Sequence, residues 1–207
     1  MNLLQKYIFI FFLFIFSPSQ GQDYKFDIIV KSKFPNEYHP NQEFTNLFNS
    51  NEKSYFMQVF FRNDSIKARI FDVKESVVHH FFVKDQVKMD FEWLKTEKLL
   101  NQDENYSFEF SDMKTRKEKH SINFYTTDKT LRRTGKLKLT VKETDQNLFR
   151  LFTIASLEPV FFKEIVPPSN FMVLKAKGTN YSGNFINYEL TSINAIDLSI
   201  TIPRKDH

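Results

Sequence analysis

Histidines are the side chains in this sequence best suited to bind a metal or transfer protons. There are five of them, His39, His79, His80, His120 and His207. His79 and His80 are adjacent in a predicted strand, so their side chains should point to opposite faces and cannot chelate one metal together. We expect one to face the core or a cavity and the other to face water or a second layer, with His120 meeting one of them across the sheet. No carboxylate spacing completes a metal site, so we predict isolated, hydrogen-bonded histidines and no metal.

Acidic residues offer one further arrangement for catalysis. Asp85, Asp90 and Glu92 could form a catalytic pair of carboxylates. However, Asp90 and Glu92 alternate with apolar residues, and that spacing puts them on the wet face of an amphipathic strand. The sequence contains no HExxH, GxSxG or GxxxxGK motif and no cysteine nucleophile. We therefore predict that the protein is not an enzyme, with no catalytic residues and no cofactor.

Aromatic residues are the most suggestive feature, because 25 of the 207 residues are Phe while only 4 are Gly. Large aromatic side chains on strands usually pack into a core. A strongly curved sheet could also arrange them around an apolar cavity that holds a lipid or similar ligand. Both interpretations stay open for one set of residues: Phe56, Phe60, Phe61, Phe81, Phe82, Phe91, Trp93, Phe108, Phe110, Phe124, Phe149 and Phe152.

The elements that must position these side chains are mostly strands. Apolar and polar residues alternate with period two in 24–30, 87–93, 105–110, 120–124 and 136–142. Each of these ranges is typical of a strand with one buried and one wet face.

Three further ranges, 55–61, 77–83 and 148–154, are apolar on both faces and predict strands that are covered on both sides. Short helices are predicted at 97–102 and 156–165. The last apolar run, 185–202, predicts either a hairpin or one long bent strand.

Turn signals separate these runs at intervals of about ten to thirteen residues, as expected for short hairpins. Together they predict a mainly β fold: a single curved antiparallel sheet, a meander or half-barrel, with one or two short capping helices. The predicted β-rich domain is single and spans residues 22–207.

The first 21 residues predict a secretory signal peptide. Lys6 precedes an apolar run from Tyr7 to Phe16, and small residues precede a cleavage point between Gly21 and Gln22. An anchor that crosses the bilayer needs about 20 apolar residues, which this run does not reach. We therefore expect an exported protein, periplasmic or extracellular, with no transmembrane span in the mature chain.

Charge and composition exclude other classes. The formal net charge is +4, and the one local basic cluster, residues 114–119, is typical of a solvated turn. Nucleic acid is therefore not an expected partner. The absence of cysteine excludes disulfides, thiolate metal sites and a lipid anchor on a processed N-terminus.

Residues in the C-terminal third carry a resemblance to a known group of proteins. Glu158-Pro159 leads into the range Val166–Ala176, and Tyr188–Asn194 follows about a dozen residues later. This order resembles the end of secreted β proteins known by their GLPGLI motif, although Val166–Val173 keeps a proline and lacks the glycines. The chain is also similar to the open half-barrel of lipoprotein-carrier-like periplasmic proteins, which implies carriage of acylated or apolar ligands. No site residue transfers from either group.

Two functions follow as expectations. The first is an exported, non-enzymatic envelope or secreted protein that binds an apolar ligand, a lipid or an envelope protein along its aromatic face. The alternative is a structural or interaction subunit with a filled core and no ligand.

Overall fold

A computed structural model describes residues 21–34, 43–62, 65–100, 106–116, 119–156 and 165–203. Apart from Gly21, the predicted signal peptide lies outside the described residues. So do His39, His207 and most of the helix predicted at 156–165.

The described residues form twelve strands and one helix. The strands are β1 (Gln22–Lys33), β2 (Glu43–Phe48), β3 (Tyr55–Arg62), β4 (Ser65–Asp72), β5 (Val77–Asp85), β6 (Asp90–Lys98), β7 (Tyr106–Phe110), β8 (Lys114–Arg116), β9 (Lys119–Asp128), β10 (Arg133–Glu143), β11 (Phe171–Thr179) and β12 (Phe185–Ile202). The helix, α1 (Phe149–Ala155), lies between β10 and β11 in the chain.

All twelve strands belong to one antiparallel sheet with the order β6-β5-β4-β3-β2-β1-β12-β11-β10-β9-β7, and β8 pairs with β9 beside β7. The sheet thus consists of two meanders, one running from β6 to β1 and the other from β12 to β7. The β1–β12 ladder joins them, with Gln22 opposite Ile202 and Lys33 opposite Glu189. The predicted mainly β fold with a curved antiparallel sheet is confirmed.

The outer half of the β1–β12 ladder curls over the sheet as a two-stranded ribbon. β2 pairs only with residues 28–33 of β1, and β11 pairs only with residues 185–189 of β12. Beyond these points Tyr24, Phe26 and Ile200 of the ribbon pack into one cluster with Met57 and Ile70 of β3 and β4. The ribbon therefore covers one side of β3 and β4.

Helix α1 covers the other side of the sheet, which we call the helix-facing side. Its residues Leu151 and Ile154 pack against Val30, Phe48 and Phe56 of β1, β2 and β3. β3 thus lies between the ribbon and the helix. This arrangement explains why its sequence is apolar on both faces, as predicted.

The other half of the core lies between α1 and strands β9 to β12. Phe149, Phe152 and Ala155 of the helix join one buried cluster with side chains such as Phe124, Leu139 and Tyr188. Polar residues alternate with the buried ones along β10 and are exposed as predicted: Lys136, Lys138 and Lys142.

The strand predicted at 148–154 is wrong, because these residues form α1. An apolar run of this length fits a buried strand or a buried helix equally well. Six of the seven helix residues are buried. The Asn147 Oδ1 atom accepts a hydrogen bond from the Phe149 N–H at 2.9 Å and so satisfies the first free N–H of the helix.

The helix predicted at 97–102 is also wrong for residues 97–100, which are the part of this range that the structure describes. Glu97 and Lys98 belong to β6 and pair with Val78 and Val77 of β5. Tertiary pairing overrides the weak local helix signal here. Met89, predicted as part of a strand, lies in the preceding turn with a positive φ of 54°. No helix in the described ranges is long and apolar enough to cross a membrane.

Candidate ligand cavity and buried polar cluster

A cavity of about 380 Å³ lies on the helix-facing side, between β2, β3 and β4 and the C-terminal end of α1. Its size falls in the range of about 300–1,000 Å³ that is usual for small-molecule sites. Apolar side chains supply most of the wall. The described residues that line the cavity are Phe34, Phe44, Asn46, Gln58, Val59, Phe60, Arg69, Ala155, Ser156 and Ile186.

The cavity begins where the helix ends. Leu151 and Ile154 fill the space between α1 and the sheet, and the cavity lies beside Ala155 and Ser156 at the end of the helix. The Gln58 side-chain amide donates to the Ile154 carbonyl at 3.1 Å and ties the helix end to β3. The Ser156 hydroxyl donates to the Phe152 carbonyl at 2.9 Å. The end of α1, and with it one wall of the cavity, is therefore fixed.

Arg69 gives the cavity a positive wall. Among the described lining residues it is the charged one, and its guanidinium carbon lies 4.9 Å from the centroid of the Phe60 ring. Arg69 pairs with His80 across the β4–β5 ladder. Burial, followed by the positive charge of Arg69, lowers the pKa of His80. A cationic group above an apolar wall suits a molecule with an apolar body and a polar or anionic end.

Most of the aromatic residues singled out from the sequence lie in the core, one lines the cavity, and Phe82 is 39% exposed. Phe56, Phe81, Phe124, Phe149 and Phe152 are almost completely buried in packed clusters. From that set Phe60 lines the cavity. The side chain of Phe61 lies outside the described part of the chain.

Phe34 and Phe44 also line the cavity, and the sequence did not single them out. Their rings contact each other edge to face with centroids 5.2 Å apart. Alternation in β2 was a usable signal, because Phe44, Asn46 and Phe48 share one face of that strand.

A second group of chemically interesting side chains lies under the ribbon. The Tyr24 hydroxyl donates to Asp72 Oδ2 at 2.8 Å and lies 2.8 Å from His79 Nε2. His79 Nδ1 lies 2.8 Å from the Thr96 hydroxyl. Since Tyr24 has one proton to donate, Nε2 of His79 carries a proton and Nδ1 accepts from Thr96. We call these four residues the polar cluster.

Most of the polar cluster is shielded from solvent, although Thr96 is exposed on the edge strand β6. Tyr24, Asp72 and His79 are between 1% and 3% exposed. Asp72 Oδ1 also accepts the backbone N–H of Glu75 at 2.8 Å. Burial, then the hydrogen bond to Asp72, raises the pKa of Tyr24, which keeps its hydroxyl protonated. The cluster therefore satisfies buried polar groups and holds the ribbon against β4 and β5.

The predicted opposite orientation of the adjacent histidines is confirmed. His79 faces the ribbon, while His80 faces the other side and lies 3.0 Å from a carboxylate oxygen of Glu97. The predicted meeting of His120 with either of them is wrong. His120 lies in β9, eight strands away from β5, and its Nδ1 is 3.0 Å from the Thr115 hydroxyl.

The predicted acidic pair is solvated, as the alternation indicated. Asp90 and Glu92 are exposed on β6, and Glu92 forms an ion pair with Lys84 at 3.1 Å. Asp85 caps the following turn by accepting the backbone N–H groups of Val87 and Lys88. In the part of the chain that the structure describes, no three His, Asp or Glu side chains could hold a metal ion together.

The buried state of His79 predicts a pH-dependent stability. Burial lowers its pKa in the folded protein, although Asp72 opposes the shift. The unfolded chain, with a histidine pKa of about 6.5, then binds the proton more readily. Acidification from pH 7.5 to 5.5 should therefore reduce the free energy of unfolding.

Urea unfolding at several pH values measures this effect. In His79→Gln the free energy of unfolding should fall less over the same pH interval, and His80 remains in both proteins as an internal control. Equal pH dependence in the two proteins would contradict the assignment to His79.

Comparisons with known proteins find no family model that matches the chain and no matching curated protein. The described residues thus combine a curved antiparallel β-sheet with a small, mostly apolar cavity and a largely buried polar cluster.

Proposed function

We propose that this protein is an exported, non-enzymatic binder of a small apolar or lipid-like ligand. The observation that carries the proposal is the cavity of about 380 Å³ at the end of α1. It lies at the small end of the usual range, so a single acyl chain or a molecule of similar size suits it better than a multiply acylated one. Arg69 at its wall suits a polar or anionic end group.

The position of β1 supports export. Residues 1–21 are the predicted signal peptide, and β1 begins at Gln22, directly after the predicted cleavage point. Cleavage there would leave every strand of the sheet intact. We therefore place the mature protein in the periplasm or outside the cell.

The chemistry of both sites supports a non-enzymatic role. Ser156 is the described hydroxyl that lines the cavity, and it donates to a backbone carbonyl. The Ser156 hydroxyl contacts the backbone carbonyls of Phe152 and Thr153, which provide no general base. Asp72 and His79, which could transfer protons, lie buried in the polar cluster on the other side of the sheet, and His80 is not among the described residues that line the cavity.

A structural or interaction subunit with a filled core is the second candidate. The observation that favours it is the dense aromatic packing around α1, where Phe149 contacts four other phenylalanine rings. Under this alternative the cavity holds only water and the protein takes up no apolar probe.

Uptake of an apolar fluorophore tests the proposal. The mature protein should bind N-phenyl-1-naphthylamine with increased fluorescence, and lipid should co-purify with it in native mass spectrometry. Ala155→Phe places a ring in the cavity and should weaken uptake at least tenfold. Ala195→Phe makes the same change at an exposed position of β12 and should leave uptake unchanged.

Thermal unfolding of both variants controls for their folding. A folded wild-type protein that carries no lipid and takes up no fluorophore would refute ligand binding and favour the filled-core subunit. Equal uptake by folded Ala155→Phe and wild type would place the bound probe elsewhere.

A further inference from the structure

Five lysines lie together on the side of the sheet that faces away from α1. They are Lys136, Lys138 and Lys142 of β10 and Lys175 and Lys177 of β11, and all five are exposed. We call this surface the lysine face. Because side chains alternate along a strand, the lysines of β10 share one side of the sheet, and so do those of β11. The β10–β11 register places these two groups of lysines beside each other. The ribbon covers β3 and β4 on this side of the sheet, but it does not extend over β10 and β11.

Little negative charge compensates the lysine face. Glu189 of β12 forms an ion pair with Lys175 at 2.8 Å. Nearby on β9 and β10, Arg133 lies 3.8 Å from Glu109 and 4.0 Å from the centroid of the Tyr125 ring. Five lysines against one glutamate give these six residues a combined formal charge of +4.

One pair within the face is unfavourable for the fold itself. Lys138 and Lys177 are directly opposite each other across the β10–β11 ladder. Like charges in this position repel and destabilise a sheet. The pair does not stabilise the folded chain, but it would favour the binding of a negatively charged partner.

An exposed aromatic ring borders the lysine face. Phe185 at the start of β12 is 67% exposed, and the Lys177 ammonium lies 6.0 Å from the centroid of its ring. An apolar ring next to ammonium groups suits the boundary between lipid headgroups and acyl chains. A soluble polyanion could pair with the lysines, but it offers no apolar layer for the Phe185 ring to contact.

We propose that the lysine face docks on the surface of an anionic lipid bilayer. Clusters of four to eight basic residues are typical of such surfaces, and their attraction to anionic headgroups is screened by salt. The proposal stands on the lysine positions and Phe185, and it does not depend on a ligand in the cavity.

Co-sedimentation with vesicles tests the docking. The mature protein should bind vesicles of phosphatidylcholine with 30% phosphatidylglycerol in low salt and should not bind pure phosphatidylcholine. In 0.5 M NaCl the affinity should fall at least tenfold. The double variant Lys138→Glu/Lys177→Glu should also lose at least tenfold in affinity.

A matched double variant controls for net charge. Lys25→Glu/Lys98→Glu changes the charge equally at exposed positions of β1 and β6, and it should keep most of the affinity. The single variant Lys138→Glu should bind vesicles more weakly while its melting temperature is equal to or above that of wild type, since an opposite-charge pair with Lys177 replaces a repulsive one.

Three results would overturn the proposal. The first is an equal loss of binding in the two double variants, which would show dependence on net charge alone. The second is a failure to bind the anionic vesicles in low salt. The third is binding to a soluble polyanion such as heparin without binding to vesicles, which would assign the face to that other class of partner.

Discussion

Replacing Phe149 by alanine should reduce the free energy of unfolding by about 3–5 kcal/mol, the range typical of a buried Phe→Ala change. The Phe149 ring is 1% exposed and belongs to the buried cluster that α1 forms with strands β9 to β12, which we call the β9–β12 cluster. Its centroid is 5.2 Å from that of Phe110, 5.3 Å from Phe124 and 5.8 Å from Phe171. These rings are held by their own strands, so they cannot collapse into the space that the substitution leaves.

Equilibrium unfolding in urea, followed by circular dichroism and by Trp93 fluorescence, measures this loss. Trp93 lies in β6, at the far end of the sheet from the β9–β12 cluster, so it reports whether the whole sheet unfolds together. Phe185→Ala is the matched control. Its ring is 67% exposed, and the change should cost less than about 0.5 kcal/mol. Similar small losses of unfolding free energy in both variants would show that the Phe149 ring and its neighbours do not form the core between α1 and strands β9 to β12.

Replacing Asp72 by alanine should have the second largest effect, a loss of about 2–4 kcal/mol. Its carboxylate accepts hydrogen bonds from the Tyr24 hydroxyl at 2.8 Å, the Gln22 side-chain amide at 2.9 Å and the Glu75 N–H at 2.8 Å. Alanine would leave the buried Tyr24 proton without this acceptor. It would also loosen the contact between the ribbon and β4.

Asp72→Asn is the control that keeps the shape of the side chain and one acceptor oxygen. It should lose clearly less stability than Asp72→Ala in urea unfolding at pH 7.5. An Asp72→Ala variant as stable as wild type, or more stable, would argue against a structural role. In that case the cluster would resemble functional sites, where stability is sacrificed for activity.

Much of the fold was predictable from alternation alone. The buried positions Leu137, Leu139 and Val141 of β10 follow from period two. For residues 185–202 the sequence left a hairpin and one long strand open, and the structure has the long strand β12. The helix α1 was not predictable, because residues 149–155 are apolar in all directions and periodicity cannot separate a buried helix from a buried strand. Residues 149–155 form a helix because of their contacts with strands on both sides, and these strands are distant in sequence.

The sites were less predictable than the fold. The cavity is lined by residues such as Asn46, Gln58 and Arg69, which the registers of the β2–β3 and β3–β4 ladders place side by side. The lysine face has the same origin. Alternation predicted that Lys136 and Lys138 are exposed, but their position beside Lys177 depends on the register between β10 and β11.

The β1–β12 ladder has a consequence for how the chain acquires its structure. The centre of the sheet pairs the first described strand with the last, so it cannot form until β12 has left the ribosome. Contacts this distant in sequence slow folding, since the intervening chain must be ordered before they contribute. A nascent chain that lacks β12 also lacks the ladder that joins the two meanders. Such a delay would suit the export that we propose, in which the chain crosses a translocation channel before it folds.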